Sequence, residues 1–466
     1  MDAAAESPPP FSSFRQAVEF LESLINYEKC DGWKYSVATF ELRRMRELLA
    51  WMGDPQEGLP VVHVAGTKGK GSTAAMVESV LRAAGLRTGL HTSPHLVSVC
   101  ERLRVDARPV EEDQFLRLLN EVRDYVEQKR AECREDAPTY FEITSALALL
   151  HFRRSAVDWA VVEVGLGGRL DSTNVVSPRC CVITPIGFDH MDKLGDTPAA
   201  IAGEKAGIMK PGVPVVLARQ DYPDAPEALR RRARELECPC WEVGREVTVE
   251  NMRPLAAPAY NPAAPVGWLF DLCTPGRRYD GLAISLLGAH QVENCATAIA
   301  ALEVLRGAGE LELDPEAVRA GVGSCRWPAR VELLERSPAL VLDSAHTAES
   351  IAALLAALEV HFPGRPVRFV FGCSADKDVE RMVGMLAPRG GGFLATQADS
   401  VRAMPAREVA EVAARAGIGN VACVPDAPQA AARALEDAAP EEVVCVTGSL
   451  FLAGEVRLAW ERGGLR

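Results

Sequence analysis

Two α/β domains in one chain are predicted by three observations. A valine-rich run ends in a glycine-lysine loop, strand-like runs alternate with helical ones on both sides of it, and a second such series restarts near Ser324 without a glycine-lysine loop of its own. The first domain, residues 1–325, reads as a doubly wound parallel sheet with a small β insertion. The second, residues 326–466, reads as a smaller α/β sheet. A length of 466 residues supports the division, because domains usually run to roughly 100 to 200 residues.

The glycine loop organises the first domain. Val61, Val62 and Val64 make a short buried strand, after which Gly66, Gly69 and Gly71 allow a sharp turn and a close approach to a ligand. Lys70 supplies a positive charge, and Ser72 and Thr73 stand where a helix is expected to begin, its free N–H groups facing the same anion. The strict GxxxxGK[ST] pattern fails twice, with Val64 at the first glycine position and Gly71 after the lysine. The residues therefore define a phosphate cradle without choosing between a kinase, an ATPase and a tight turn.

Ahead of the loop, a Pro-rich start precedes amphipathic helices at 14–26 and 40–51 around a Gly-Trp-Lys-Tyr-Ser loop. After it, residues 88–92 suit a second buried strand that Ser93-Pro94-His95 must leave abruptly. The two strands are read as neighbours, which puts both turns at one edge of a parallel sheet, where open α/β sheets bind ligands. Helices follow at 110–132 and 141–152. Residues 158–169 form a strand in which Glu163 stands among valines, and a buried carboxylate needs a partner or a cation. The glycines of GLGGRLD have the wrong spacing for a dinucleotide fingerprint, so a backbone turn over a ligand is the better reading. A strand at 180–187 delivers Phe188-Asp189-His190, and a helix carrying Glu204 and Lys205 leads to a strand at 213–218. Residues 243–287 are rich in Pro and Gly and suit the β insertion, and 288–306 suit a helix. Strands at 340–345, 367–372, 393–396, 421–424 and 443–447 build the second sheet.

Composition excludes several classes. A net charge of -13 argues against a nucleic-acid surface, and the RRRAR run at 230–234, flanked by Glu227, Glu235 and Glu237, reads as a solvated helix face. No run approaches about 18 apolar residues and the first residues lack a signal-peptide pattern, so a cytoplasmic protein without a membrane partner is expected. Of the thirteen cysteines, scattered through apolar contexts, most read as reduced core residues, and Cys238-Pro239-Cys240 lacks the further ligands of a zinc site.

Nine motifs in order, HVAGTKGKGST, TSPHL, VEVGLGGRLDSTN, FDH, EKAGIMKPGVPVV, GAHQVENCATA, WPARVE, LDSAH and VTGSLFLAGEVR, resemble the folylpolyglutamate synthase/dihydrofolate synthase family, relatives of the Mur ligases. The resemblance runs from about Val61 to the C-terminus. It implies a P-loop ATPase-like first domain that binds ATP and pterin and a Rossmann-like second domain for glutamate. It also implies ligation of L-glutamate to a pteroate or folate carboxylate through an acyl phosphate, by a chain that acts as a monomer on ATP, L-glutamate and dihydropteroate or reduced folate. By the same resemblance Gly66, Thr67, Lys68, Gly69, Lys70, Gly71, Ser72, Thr73, Asn294, Arg330 and Asp343 hold the nucleotide. Ser93, Glu163 and His190 hold one Mg²⁺; Lys205, taken alone a helix-surface residue, is carbamylated and holds a second. Phe141, Glu142, Ile143, Thr144, Leu170, Asp171 and Ser172 face the pterin, with a further contribution from 35–43. His346 and Ser449 serve the incoming glutamate or catalysis, beside Lys70 and Lys205.

The chain departs from the family pattern at four positions. Lys68 replaces an Asn and adds charge to the cradle, Ala329 replaces the glycine of WPGR, and Thr347 and Ala348 replace the Asn-Pro of AHNP. The Ala329 change matters if that residue needs a positive φ. A Mur-type ligase with another acceptor and an inactive nucleotide-binding regulator are the competing readings; the second has no need of two metal sites.

Overall fold

The computed structural model describes residues 10–28, 42–188, 191–255 and 266–465. The Pro-rich residues 1–9, the expected loop at 32–36, the first two residues of the expected helix 40–51 and the Asp189-His190 pair lie outside them.

In chain order the elements are α1 (Phe14–Glu22), α2 (Leu42–Trp51), β1 (Val61–Ala65), α3 (Lys70–Ala83), β2 (Thr88–His91), β3 (Arg104–Val105), β4 (Arg108–Pro109), α4 (Glu112–Glu132), α5 (Tyr140–Arg154), β5 (Trp159–Glu163), β6 (Cys180–Ile183), α6 (Met191–Leu194), α7 (Pro198–Lys205), β7 (Val215–Leu217), α8 (Asp224–Glu235) and β8 (Cys240–Glu242). Then come β9 (Thr248–Pro254), β10 (Trp268–Cys273), β11 (Arg278–Ile284), α9 (His290–Gly307), α10 (Pro315–Ser324), β12 (Glu332–Arg336), β13 (Ala339–Leu342), α11 (Ala348–His361), β14 (Val367–Phe371), α12 (Val379–Leu386), β15 (Gly390–Gln397), α13 (Ala406–Arg415), β16 (Val421–Asp426), α14 (Ala427–Glu436), β17 (Val443–Thr447) and α15 (Leu450–Glu461).

Local chemistry sets the helix starts. Ser13 accepts the Gln16 N–H ahead of α1, and Thr139 and Glu142 form a reciprocal capping box that begins α5. Helix α3 starts at Lys70, two residues before the Ser-Thr pair. Gly69, at φ +80°, turns the chain into the helix at once.

The first sheet runs β4-β3-β2-β5-β1-β6-β7-β8, parallel from β2 to β8 with β3 and β4 as an antiparallel edge. The expectation that β1 and β2 are neighbours is corrected: β5 lies between them and pairs with both. The long excursion through α4 and α5 returns the chain to that gap, a crossover that packs helices on the sheet. Register places Val64 opposite Glu163 and His91 opposite Val162, so the three strands end at nearly the same level. One face, with Val61, Ala160, Val162, Cys181 and Ile183, is covered by α1, α2, α4 and α5 toward β2 and by α7 and α8 toward β8. The other face packs on α3.

Strands β9 to β11 form the three-stranded sheet of the insertion, in the order β11-β10-β9. The third sheet runs β12-β13-β17-β14-β15-β16 and is parallel except for β12, a strand that the sequence reading did not contain. Its faces are apolar in alternation. Val341, Phe369 and Cys445 meet α11 to α13, and Leu340, Val370 and Val444 meet α14 and α15. By contact density the chain falls into two compact units. One runs up to Val249 and adds Leu272–Tyr279 and Glu293–Val322; the other comprises Glu250–Asp271, Asp280–Val292 and the chain from Gly323 onward.

The arginine run lies on α8, where Arg230 pairs with Glu242, Arg232 with Glu235 and Arg234 with Glu227. Among the described residues all cysteines are unpaired, no cluster of three or more His, Cys, Asp or Glu is placed to hold a metal, and no helix is long and apolar enough to cross a membrane.

Helix α3 is wedged against α10. Ser79 Oγ donates to the Gly321 carbonyl at 2.7 Å, and a Cβ on Gly321 would lie 2.4 Å from Val80 Cα. Gly321→Ala is therefore expected to lower unfolding free energy by about 1–3 kcal/mol, read as a lower urea midpoint, because the neighbour is backbone and cannot yield.

Candidate active site

The glycine loop closes over the end of β1. Thr67 and Lys68 donate their N–H groups to the Pro185 carbonyl at 3.0 and 3.2 Å, and Thr67 Oγ1 reaches the Gly187 carbonyl. Two glycines are sterically required. At Gly66 (φ +150°) a Cβ would fall 1.8 Å from Thr184 Oγ1; at Gly69 it would fall 2.4 Å from Asn294 Oδ1. The second contact places Asn294, on α9, directly against the loop. Thr184 was missed from sequence, although its position just past the end of β6 was the available signal.

The first helical bond of α3 runs from Thr73 N to Gly69 O, so the amides ahead of Thr73 have no intrahelical acceptor. Thr73 Oγ1 is buried and without a hydrogen bond partner. Lys70, Gly71 and Ser72 complete the first turn, with Lys70 half-buried and Lys68 exposed. Unpaired amides, one buried hydroxyl and a lysine at a helix N-terminus form an anion site.

Glu163 and Lys205 are placed beside it. Glu163, 4% exposed at the end of β5, accepts the Ser93 N–H at 3.1 Å, so the TSPHL turn of β2 docks on the carboxylate. Lys205 is 4% exposed, which overturns the surface reading made from residues alone; its Nζ donates to the Gly66 carbonyl at 2.8 Å. The cause is the packing of the GLGGR turn on the end of α7. A Cβ on Gly168 would lie within 3.0 Å of the Glu204 and Lys205 backbone, and Arg169 pairs with Glu204. The carboxylate of Glu163 and the hydroxyl of Ser93 are hard oxygen donors of the kind Mg²⁺ takes. His190 lies outside the described residues.

The predicted substrate residues divide. Phe141 is half-buried, and its ring fills the place of a side chain at Gly165 and lies 6.0 Å from the His91 ring. Glu142 is committed to the Thr139 N–H and to a buried ion pair with Arg44 at 3.1 Å; Ile143 and Thr144 are fully buried, Thr144 donating to the Phe141 carbonyl. Asp171, pushed upward by burial against the pull of the Thr173 hydroxyl, accepts from Thr173 Oγ1 and the Leu166 N–H. Leu170 is buried, and Ser172 Oγ contacts Ser145. Ser145 in turn meets His91 Nε2, and His63 Nε2 meets Thr173, joining strands β1 and β2 to the LDSTN turn through polar cores. Of the 35–43 stretch only residues 42–43 are described; Arg43 pairs with Asp136.

In the second unit, Arg330 lies between two left-handed residues, Ala329 at φ +53° and Val331 at φ +50°. The departure at 329 thus falls where glycine costs least, and non-glycine residues in such regions cost of order 1–3 kcal/mol each. Asp343, 6% exposed, accepts the Val331 and Ala345 N–H groups at 2.9 and 2.8 Å; burial raises its pKa and Arg330 opposes the rise. The Arg330 guanidinium donates to Ser344 Oγ. His346 is exposed, its Nδ1 2.8 Å from the Ser344 carbonyl. Thr347 caps α11 and Ala348 is its first residue, so this pair keeps the helix start that Asn-Pro would supply. Ser449 stands at the N-terminus of α15 and makes no capping bond with its side chain.

A nucleotide-type loop, a buried carboxylate at the neighbouring strand end and a second α/β unit suit a nucleotide-dependent ligase, and the family matches make it one of the Mur type. The chain matches the Mur ligase middle domain over residues 64–302 and the Mur ligase glutamate ligase domain over 329–450. It is 33% identical to the dihydrofolate synthase/folylpolyglutamate synthase of Bacillus subtilis, covering 92% of this chain and 98% of that one. The structure of Mycobacterium tuberculosis folylpolyglutamate synthase complexed with ADP superposes with a TM-score of 0.85 at 31% identity, covering 96% and 98% of the two chains. A folylpolyglutamate synthase complexed with AMPPCP and folate gives 0.79 at 31%, covering 96% and 99%. The chain belongs to the folylpolyglutamate synthase/dihydrofolate synthase family.

The buried histidines set an acid limit. Burial, with Lys210 adding to it, pushes His63 down to about 3, and burial pushes His91 down to about 4. Both rings are neutral in the folded chain, whereas the unfolded chain takes up protons below pH 6.5. Stability therefore falls as pH falls from 6.5 toward 4, by about 2 kcal/mol for each ring at pH 5. Urea unfolding at pH 7 and pH 5 checks this, and His63→Gln reduces the difference.

Proposed function

We propose that this chain ligates L-glutamate to the carboxylate of a pteroate or folate at the expense of ATP, the activity that defines its family. The observation that carries the site assignment is the meeting of the phosphate loop with Lys205, and of Ser93 with Glu163, at the C-terminal ends of neighbouring strands. The α3 amides, Lys70 and the Thr73 hydroxyl hold the ATP phosphates, Lys68 adds charge at the rim, and Asn294 orders the loop. Arg330 and Asp343 are assigned to the nucleotide, and His346 and Ser449 to glutamate, whose carboxylates suit the N-terminus of α15.

Chemistry begins with the substrate carboxylate attacking the γ-phosphorus, giving an acyl phosphate and ADP. The glutamate amine then attacks the acyl carbon and phosphate leaves. Lys70 neutralises charge that grows on the transferring phosphoryl oxygens, and the loop amides hold it in line. Ser93, Glu163 and His190 would hold Mg²⁺, which when bound would neutralise part of the charge on the transferring phosphoryl group. Lys205, donating to the Gly66 carbonyl as an amine, holds the loop; carbamylated, it would offer an anionic oxygen to a second Mg²⁺. Phe141 and the 170–172 turn are assigned to the pterin, Phe141 by stacking. We place the enzyme in the cytoplasm as a monomer, with its functional domains divided near residue 325.

Lys70→Ala and Glu163→Ala are each expected to lower kcat at least about 100-fold in a folded protein, measured as pterin-dependent phosphate release with ATP, Mg²⁺ and glutamate. Chelation of Mg²⁺ abolishes the release. Dihydropteroate and tetrahydrofolate assayed side by side separate the synthase from the chain-extending activity; no turnover on either overturns the assignment.

A further inference from the structure

The turn that carries Arg330 is held from outside by a pair of charges to which neither the nucleotide nor the glutamate assignment gives a role. The Ala329 N–H donates to Glu332 Oε2 at 3.0 Å, while Glu332 Oε1 is bound by the Arg457 guanidinium, and Arg457 also pairs with Glu461 at 3.1 Å. Glu332 opens β12, and its register opposite Leu342 brings the chain at 331 against the chain at 343. From the inner side, Asp343 takes the Val331 N–H and the Ala329 carbonyl takes the Ser344 N–H at 3.0 Å. Ala329 and Val331 are both buried, so their left-handed conformations are held by these bonds and packing rather than by local preference. Arg330 between them is half-buried and has only its side chain to place.

We propose that Glu332 and Arg457 are positioning residues for the nucleotide: together they fix the 329–331 turn, and the turn fixes the direction of Arg330. Glu332 satisfies the amide ahead of Arg330, and Arg457, two turns along α15 from Ser449, anchors Glu332 to a rigid helix. The inference rests on the assignment of Arg330 to ATP. Misplacement by about 1 Å at a charged contact can cost on the order of 100-fold in turnover efficiency, so a small relaxation of the turn is measurable.

The test uses the full chain with ATP, Mg²⁺, glutamate and folate, and calorimetric titration with ADP. Arg457→Met is expected to raise KM for ATP and the ADP dissociation constant about tenfold or more, with KM for folate unchanged, whereas Arg457→Lys, which keeps the charge, recovers most of the affinity. A folded Arg457→Met with wild-type ADP affinity overturns the proposal, as does an equal loss for every substrate. Should Arg457→Met lose its cooperative melt, Glu332→Gln decides: it keeps an acceptor for the Ala329 N–H but weakens the grip of Arg457. Weaker ADP binding in it supports the proposal, and wild-type affinity overturns it. Arg330→Ala separates the two layers. Unchanged ADP affinity there removes Arg330 from the nucleotide, whereas a loss there without a loss in the Arg457 and Glu332 variants removes only the positioning role.

Discussion

A carboxylate buried at the end of a central strand is the constraint on which the first unit depends. Glu163 loses most of its hydration there, and a charge so placed must be met by donors or by a cation. The Ser93 N–H meets it from β2, which obliges the TSPHL turn to fold back toward β5. Because β5 also pairs with β1, the same strand sets the height of the phosphate loop. Strand β5 thereby stands between the two strands that carry these turns, which do not touch each other, and its Glu163 holds the turn from β2.

The loop itself is built by exclusion. Gly66 and Gly69 leave no room for a methyl group, and what fills the space instead is Thr184 on one side and Asn294 on the other. Asn294 stands far along the chain and reaches the loop because α9 returns to the first unit after the three-stranded sheet. Lys205, drawn in by the close packing of the GLGGR turn on α7, sits under the loop with its amine on the Gly66 carbonyl. Catalysis by positioning asks for a cradle of this stiffness, since its contribution comes from groups that do not reorganise during the reaction.

Much of this was legible from residues. Valine runs, apolar periodicity and glycine turns located most strands and helices, although the strand expected at 158–169 ends at Glu163 and α3 starts ahead of the Ser-Thr pair, and the ordered motifs named the family. Three things were not legible. Strand order depends on where long crossovers return, so β5 could not be inserted between β1 and β2 from local pattern. Lys205 reads as a surface lysine until its neighbours' glycines are seen to remove the space around α7. Strand β12 is short, edge-lying and charged at Glu332, Glu335 and Arg336, so it lacks the apolar run that marks its partners. The condition set for Ala329 could be written from sequence, but whether φ is positive there belongs to the fold.

The fit of glycines against backbone also bears on how this enzyme can drift over generations. At Gly66, Gly168 and Gly321 the nearest atoms are main chain or a buried threonine, so even the smallest change forces the scaffold to move. Of the departures from the family pattern, Lys68 is exposed and Thr347 preserves a helix cap, whereas Ala329 is buried in a left-handed turn held by its neighbours. The charge of the cradle can thus be retuned at Lys68 without disturbing the geometry underneath.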